Sequence, residues 1–482
     1  GVEVEAQLIR HYPQADLVAH AVGSVRRIIP EDLQVLDPVE YSATRYVGRL
    51  GVEKHYESVL HGRVGHERVE TDARGRITRV LERSAPDAGH NLTLHLDLGL
   101  QRAATAALGD RRGAIVALDP NNGGVLALVS NPGYDPNLFI GGIAPSTYRA
   151  LQGDPDTPLF NRAIRGQYAP GSTFKPYVAL AGLQHGEADW ETEIDDPGYY
   201  RLPGQSRMYR DWTWRPGGGG GGGKVDLYRA IYRSNNTYFY DLSVRLGVDR
   251  VATFVKQFGF GQDFTVDIPD AKTGLLPTSA WKEAVRGEPW YPGDNVNLGI
   301  GQGDLLVTPL QLATAVSVIA NRGRRVRPRM VLASDADLPE FEAEPLPDVV
   351  LSDPQHFERL VEAMAAVVHR GNKGYGQNGT AWSYIGMDIP YRMAGKSGTA
   401  QVVEIPQGFE YDDLELEERQ RKHAWFVAFA PVEAPRIALA VLVENGGGGS
   451  SVAAPVAREV IDAWLLPGDD ADDTDREQVA GF

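Results

Sequence analysis

The segment YAPGSTFKP, residues 168–176, is the most informative part of this chain. A proline and a glycine close an irregular stretch, and the apolar run 177–183 that follows has helix character. Pro176 suits the first turn of a helix, where backbone N–H groups lack intrahelical partners. Ser172 and Lys175 are three residues apart and would share one face of that helix. The segment therefore predicts a serine beside a lysine at the start of a helix.

A serine beside a lysine can be a nucleophile beside its base. A serine hydroxyl is a poor nucleophile until a base takes its proton. Lysine is such a base when burial or a nearby positive charge lowers its pKa. The plainer interpretation, a helix cap followed by a solvated lysine, is the commoner one for an isolated pattern, and Ser279 and Lys282 repeat the same spacing. The surrounding motifs must decide between the two pairs.

A second motif follows at Ser234-Asn235-Asn236, in a segment predicted to join two helices. At such a junction the hydroxyl of Ser234 and the amide of Asn236 can face one cleft. Alone, the pattern says little, because serine and asparagine favour turns and helix caps in any protein. The Ser279 pair follows this motif in the chain, whereas Ser172 and Lys175 precede it, and for this difference in order we discard the Ser279 pair.

A third motif runs from Lys396 to Thr399 inside a segment, residues 392–403, that we predict to be a strand. Two apolar segments downstream are able to pair antiparallel with it. Lys396 and the two hydroxyls would face an anionic or polar ligand, and Gly398 would let a substrate backbone come close. The similar Lys272-Thr273-Gly274 lies between two prolines, which argues against a sheet interior, and we discard it.

In this order the three motifs resemble those of penicillin-binding proteins and serine β-lactamases. The segments 123–130, 130–137 and 299–303 are similar to class B penicillin-binding proteins of the elongation type, and residues 48–62 resemble their membrane-proximal pedestal. The resemblance spans nearly the whole chain. It implies a serine-type D,D-transpeptidase that cross-links peptidoglycan stem peptides during cell elongation and is a target of β-lactams.

The resemblance also implies a role for each residue of the first two motifs. Ser172 would attack the carbonyl of a terminal D-Ala-D-Ala, and Lys175 would take its proton. Ser234 would relay that proton to the leaving amine. Asn236 would hold both the substrate amide and Lys175.

The third motif would bind the substrate carboxylate through Lys396, Ser397 and Thr399, and Lys396 would also disfavour the ammonium form of Lys175. Many relatives have threonine where this chain has Ser397, but either residue supplies a hydroxyl. The backbone N–H groups of Ser172 and Thr399 would hold the oxyanion.

We predict an α+β fold with two domains. Residues 1–92 would form a pedestal, the non-penicillin-binding part, without catalytic groups, and residues 93–467 a transpeptidase domain with a central antiparallel sheet flanked by helices. Residues 468–482, which are rich in aspartate, would be a disordered acidic tail.

Several individual elements are also predicted from apolar periodicity. The predicted strands and helices are a strand at 17–23, a helix at 53–60, strands at 63–71 and 91–97, a helix at 98–108, a hairpin of 113–118 with 125–129, strands at 424–430 and 437–443, and a helix at 453–465.

Two glycine runs interrupt the chain. Residues 217–223 have flexible linker composition, and we expect few contacts there. Asp196 and Asp211 precede this run, but no histidine or cysteine accompanies them, so we predict no metal and no cofactor. The second run, 446–449, is short enough to be a tight connection between a strand and the last helix.

Composition restricts the compartment and the partners. The 482 residues carry a net charge of −16 and no cysteine, which excludes disulfides and thiolate chemistry. The sequence has no basic stripe, which argues against nucleic acid as the main partner. The resemblance implies stem peptides, β-lactam antibiotics, a polytopic glycosyltransferase and a scaffolding protein of the elongation complex as partners. It implies the periplasmic face of the bacterial inner membrane, with a single N-terminal anchor that is not in this chain.

Other functions share these motifs. A class A β-lactamase needs a deacylating glutamate, and no convincing loop for one lies between the second and third motifs. A β-lactam sensor, a D,D-carboxypeptidase and a non-catalytic cell-wall scaffold remain as alternatives.

Overall fold

A computed structural model describes residues 9–215, 220–338, 345–374, 376–403 and 417–466. The helices are α1 Ala19–Val22, α2 Gly51–His55, α3 Glu57–Leu60, α4 Leu98–Leu108, α5 Pro145–Gly153, α6 Arg162–Arg165, α7 Lys175–Gln184, α8 Leu227–Tyr232, α9 Asn236–Leu246, α10 Val248–Val255, α11 Ser279–Arg286, α12 Pro292–Gly299, α13 Pro309–Ala320, α14 Gln355–His369 and α15 Ala454–Leu465. The strands are β1 Ser24–Arg27, β2 Tyr46–Leu50, β3 His66–Thr71, β4 Ile77–Ser84, β5 Leu92–Leu94, β6 Gly113–Leu118, β7 Val125–Asn131, β8 Ile194–Asp196, β9 Tyr199–Tyr200, β10 Tyr209–Arg210, β11 Gly223–Val225, β12 Val331–Ser334, β13 Ala394–Ala400, β14 His423–Ala430 and β15 Ile437–Val443.

A five-stranded antiparallel sheet organises the larger domain. Its order is β13-β14-β15-β6-β7, so the predicted hairpin β6–β7 joins three strands from the end of the chain. Strand β13 is an edge strand of this sheet and pairs with β14 alone, Lys396 opposite Val427 and Thr399 opposite Ala424. The third motif therefore lies on the sheet edge that faces the serine helix.

Helices cover both faces of the sheet. Helix α4 buries Leu100, Ala104 and Leu108 on one stripe, and packs with α15 against one face. Its start is capped by Asp97, whose carboxylate accepts the N–H of Leu100 at 2.7 Å. The other face packs against α13, and α7 lies in the same core. Helix α7 is buried on all sides from Lys175 to Leu183, which fixes the segment that carries the serine.

The pedestal is built from short elements. Strands β1 and β2 pair antiparallel, and β3 and β4 form a hairpin whose residues are almost all exposed. The predicted strand at 17–23 is wrong, because residues 19–22 form α1. A short apolar run does not distinguish a strand from a buried helix. Pedestal residues Val52 and Tyr56 belong to the same hydrophobic core as α7 and α13, so the two parts of the chain pack as one body.

Most of the other predicted elements are confirmed. Helix α4 and strands β6 and β15 have the predicted bounds, and the predicted helix at 53–60 is split into α2 and α3. The two predicted strands at 63–71 and 91–97 are shorter than expected. No described helix is long and apolar enough to cross a bilayer.

The first glycine run differs from expectation, whereas the second agrees with it. Residues 217–219 and the acidic segment 468–482 lie outside the described residues. The rest of the first run makes more contacts than predicted, because Gly222 donates its N–H to Asp196 at 2.7 Å and Gly223 begins β11. The second run is packed tightly, since a Cβ on Gly449 would lie 2.3 Å from the backbone oxygen of Gly398.

Candidate active site

The serine of the first motif lies on a 3-10 turn, Gly171–Phe174, that leads directly into α7. The backbone N–H of Lys175 donates to the oxygen of Ser172. In this tight geometry side chains three residues apart eclipse each other, so Ser172 and Lys175 share one face. The turn packs directly on β13, because a Cβ on Gly171 would lie 2.6 Å from the oxygen of Thr399.

Lys175 is fully buried and faces only neutral oxygens within hydrogen-bond distance. Its Nζ donates to Oδ1 of Asn236 at 2.6 Å and to the backbone oxygen of Ser234 at 2.7 Å, and lies 3.4 Å from Oγ of Ser234. Burial lowers the pKa of Lys175 to about 7, and the charge of Asp211 opposes this shift. A neutral amine keeps two N–H groups for the two oxygens and one lone pair that can accept a proton.

Ser234 lies between α8 and α9, as predicted, and has a left-handed backbone with φ +57°. This conformation is unusual for serine and persists only where neighbouring groups impose it. Lys396 donates from Nζ to Oγ of Ser234 at 2.7 Å and to the backbone oxygen of Ser397 at 2.9 Å. Burial, and then the charge of Lys175, lower the pKa of Lys396 well below its usual value. Two lysines thus converge on one serine hydroxyl.

Strand β13 closes the site. Gly398 is required by the serine turn, because a Cβ there would lie 2.8 Å from both the oxygen of Pro170 and a methyl carbon of Thr173. This is a reason for glycine that the sequence analysis did not foresee. The hydroxyl of Thr399 lies 3.4 Å from the N–H of Gly449, and Ser397 is almost fully buried.

Two side chains beside β13 were not predicted as part of the site. Oγ1 of Thr380 lies 3.3 Å from Oγ of Ser397, and Nε2 of Gln302 donates to the oxygen of Thr399 at 3.2 Å. Gln302 lies in the glycine-rich segment 299–303 that the resemblance singled out. Thr380 gives no sequence signal, because it lies in the segment after α14 and is held there by a contact distant in sequence, its N–H donating to the oxygen of Tyr232 at 3.2 Å.

Within the described residues, no three histidine, cysteine, aspartate or glutamate side chains form a group able to hold a metal. The arrangement thus consists of a serine, two lysines of lowered pKa, a second serine and an amide. It can deprotonate a hydroxyl and shuttle a proton, which is the chemistry of acyl transfer.

The family model "Penicillin binding protein transpeptidase domain" matches residues 113–462, and "Penicillin-binding Protein dimerisation domain" matches residues 1–94. The chain is 44% identical over 470 residues to the peptidoglycan D,D-transpeptidase MrdA of Acinetobacter baumannii, covering 97% of this chain and 67% of that protein.

Solved structures show the same relationship. The crystal structure of Pseudomonas aeruginosa PBP2 in complex with WCK 5153 is 46% identical with a TM-score of 0.84, covering 95% of this chain and 91% of that one. PBP2 from Helicobacter pylori, solved as a complex with MreC, is 30% identical with a TM-score of 0.82, covering 95% and 79%. The chain therefore belongs to the penicillin-binding protein family, in its PBP2 type.

Proposed function

We propose that this chain is a peptidoglycan D,D-transpeptidase that works through an acyl-enzyme on Ser172. The observation that carries the proposal is the pair of buried lysines, Lys175 and Lys396, converging on Ser234 beside the serine turn. Burying two charged lysines is energetically costly, and burial therefore favours their neutral forms. A neutral amine can accept a proton, which is what the proposed reaction needs. A relative that is 44% identical to this chain is named a peptidoglycan D,D-transpeptidase, which supports the same reaction here.

In the acylation step Oγ of Ser172 attacks the carbonyl carbon of the penultimate D-alanine of a stem peptide. The lone pair of Lys175 takes the hydroxyl proton as the new C–O bond forms. The N–H groups of Ser172 and Thr399 hold the developing oxyanion, since the serine turn and β13 are in direct contact.

Collapse of the tetrahedral intermediate breaks the amide bond and expels D-alanine. The leaving nitrogen needs a proton, which Ser234 supplies from its hydroxyl and regains from Lys175. Lys396, Ser397 and Thr399 bind the terminal carboxylate, and its negative charge favours the ammonium form of Lys396. In the second step an amine from a neighbouring stem attacks the carbonyl carbon of the acyl-enzyme. The new C–N bond replaces the C–O bond to Ser172, and Lys175 takes a proton from the amine and returns one to Oγ of Ser172.

β-Lactams are expected to acylate the same serine. Their strained amide presents a carbonyl to the oxyanion hole, and the leaving nitrogen stays tethered in the adduct and hinders an acceptor. The complex of the P. aeruginosa relative with WCK 5153 supports ligand binding in this fold.

The pedestal is proposed to dock other proteins of the elongation complex at the periplasmic face of the inner membrane. The hairpin β3–β4 exposes Ile77, Val80 and Leu81, and it contributes nothing to the site. The H. pylori relative was solved with MreC, which supports a scaffolding partner for this chain. A polytopic glycosyltransferase remains an expectation from the family resemblance.

The proposal is tested by incubating the chain with a stem pentapeptide, with and without an amine acceptor. The released D-alanine and the peptide products are measured by mass spectrometry. We expect a cross-linked product that grows at the expense of hydrolysis as the acceptor concentration rises.

Each alternative gives a different product. Hydrolysed peptide alone would make the chain a carboxypeptidase, and rapid release of penicilloate from a penicillin would make it a β-lactamase. A stable penicillin adduct without any peptide turnover would indicate a sensor. If the chain formed no adduct and turned over no peptide, it would be a non-catalytic scaffold.

A further inference from the structure

Two buried carboxylates lie behind the Ser234–Asn236 junction and have no part in the mechanism above. Asp196 ends β8 and Asp211 follows β10, and they are 3% and 2% exposed. A buried carboxylate is costly unless its oxygens are hydrogen-bonded. Both are, and the donors include the second motif itself.

Asp196 is surrounded by donors. Its Oδ1 accepts from the N–H of Gly198 at 2.8 Å and from the hydroxyl of Thr237 at 2.7 Å. Its Oδ2 accepts from the N–H of Gly222 at 2.7 Å and from Nδ2 of Asn235 at 2.5 Å. Asp196 therefore holds side chains on both sides of Asn236.

Asp211 holds the backbone of the same junction. Its Oδ2 accepts from the N–H of Asn236 at 2.5 Å, and its Oδ1 accepts from the N–H and the hydroxyl of Thr213 at 2.9 and 2.7 Å. The N–H of Asp211 donates to the oxygen of Gly198, which ties the two aspartate segments together.

We propose that Asp196 and Asp211 are positioning residues of the acylation step. They fix a junction in which Ser234 is held in a left-handed conformation and Asn236 points its Oδ1 at Lys175. A displacement of about 1 Å in such a group can cost roughly a hundredfold in rate. The inference rests on the proposed function, because it assumes that Lys175 serves a nucleophile.

Asp211 also acts through its charge. Around Lys175 lie neutral oxygens, the ring of Phe239 at 5.5 Å and Lys396, which donates to the same hydroxyl of Ser234. The charge of Asp211 raises the pKa of Lys175 against the effect of burial. Removing this charge should lower the pKa of Lys175 and move the acid side of the acylation profile to lower pH. A purely structural role would not shift that profile.

The test compares three variants of the full chain: Asp196→Asn, Asp211→Asn and the control Asp195→Asn. Asp195 is the neighbour of Asp196 on β8, but its side chain is 80% exposed and pairs with Lys224 at 3.0 Å. The second-order rate constant of acylation by a fluorescent penicillin is measured from pH 5 to 9. Melting temperatures are recorded in parallel.

We expect Asp196→Asn to acylate roughly 10- to 100-fold more slowly, because an amide would present N–H groups to two donors. Asp211→Asn should lose less, since its oxygen can still accept from Asn236, and its acid limb should lie at lower pH. Asp195→Asn should match the wild type. Asp196→Asn is the variant at risk of unfolding. The result for Asp211→Asn therefore decides whether the positioning role is accepted.

The positioning role would be overturned if Asp211→Asn acylated within about twofold of the wild type and the acid limb of its pH profile did not move. The proposed function would not be affected by that result. A wild type that forms no adduct would overturn the proposed function and this inference with it.

Discussion

Two Ser-x-x-Lys segments, Ser172–Lys175 and Ser279–Lys282, start helices in this chain, and both lysines are buried, at 0% and 4% exposure. Lys175 faces two neutral oxygens. Lys282 instead donates to the carboxylate of Asp294 at 2.6 Å, and the hydroxyl of Ser279 donates to Asp249 at 2.5 Å.

The difference shows that burial alone does not make a lysine a base. Asp294 compensates the charge of Lys282 in an ion pair. Among the described residues, Lys175 has no carboxylate within hydrogen-bond distance, so protonating it in its buried site destabilises the fold and its pKa is lowered. A second lysine, Lys396, lies on the other side of Ser234. Spacing predicts which residues are neighbours, and the partners of the lysine decide the chemistry.

The largest expected effect is the loss of the covalent adduct. Intact-protein mass spectrometry after incubation with benzylpenicillin should show one adduct on the wild type, mapped to the Ser172 peptide and stable for many minutes. Ser172→Ala should form none, because the variant lacks the hydroxyl that the proposed mechanism assigns to the attack. Ser279→Ala should behave as the wild type. An adduct on the Ser279 peptide would reverse the comparison.

The next effect is the loss of the base. Lys175→Arg keeps a positive charge but removes the accessible lone pair, because guanidinium stays protonated. Acylation should fall by roughly 10²- to 10⁴-fold, the range for general-base catalysis. Lys282→Arg preserves its ion pair and should acylate normally in the same stopped-flow assay. Near-normal acylation by Lys175→Arg would reject the role of Lys175.

The sequence predicted the parts of the site and missed what holds them. Helix α4 and strands β6 and β15 follow from local periodicity, and the three motifs are recognisable by order. The left-handed backbone of Ser234 and the contacts of Asp196 depend on segments that meet only in the folded chain. The failed strand at 17–23 has the same origin, since packing against the core decides between helix and strand for so short a run.

A smaller, graded effect is the pH dependence of acylation. Only the neutral form of Lys175 can accept a proton, and its pKa is lowered to about 7 by burial. The rate constant should therefore be nearly constant above that pH and fall about tenfold per pH unit below it. Stopped-flow acylation from pH 5 to 9 checks this, with activity recovered after return to pH 8 as the control for unfolding. A rate constant that still rises about tenfold per pH unit up to pH 9 would mean that Lys175 is not desolvated in solution.

The smallest effect on catalysis is expected from the second pair. Lys282→Met removes the ion pair with Asp294 and the contact of Nζ with the ring of Tyr291 at 4.6 Å. Asp294 is 29% exposed and regains some water, so the cost is moderate, roughly 1–3 kcal/mol of unfolding free energy. Urea denaturation should show this loss while the penicillin acylation rate stays at the wild-type value. A variant of unchanged stability with slowed acylation would show that Lys282 serves the reaction, and the contrast between the two lysines would then be wrong.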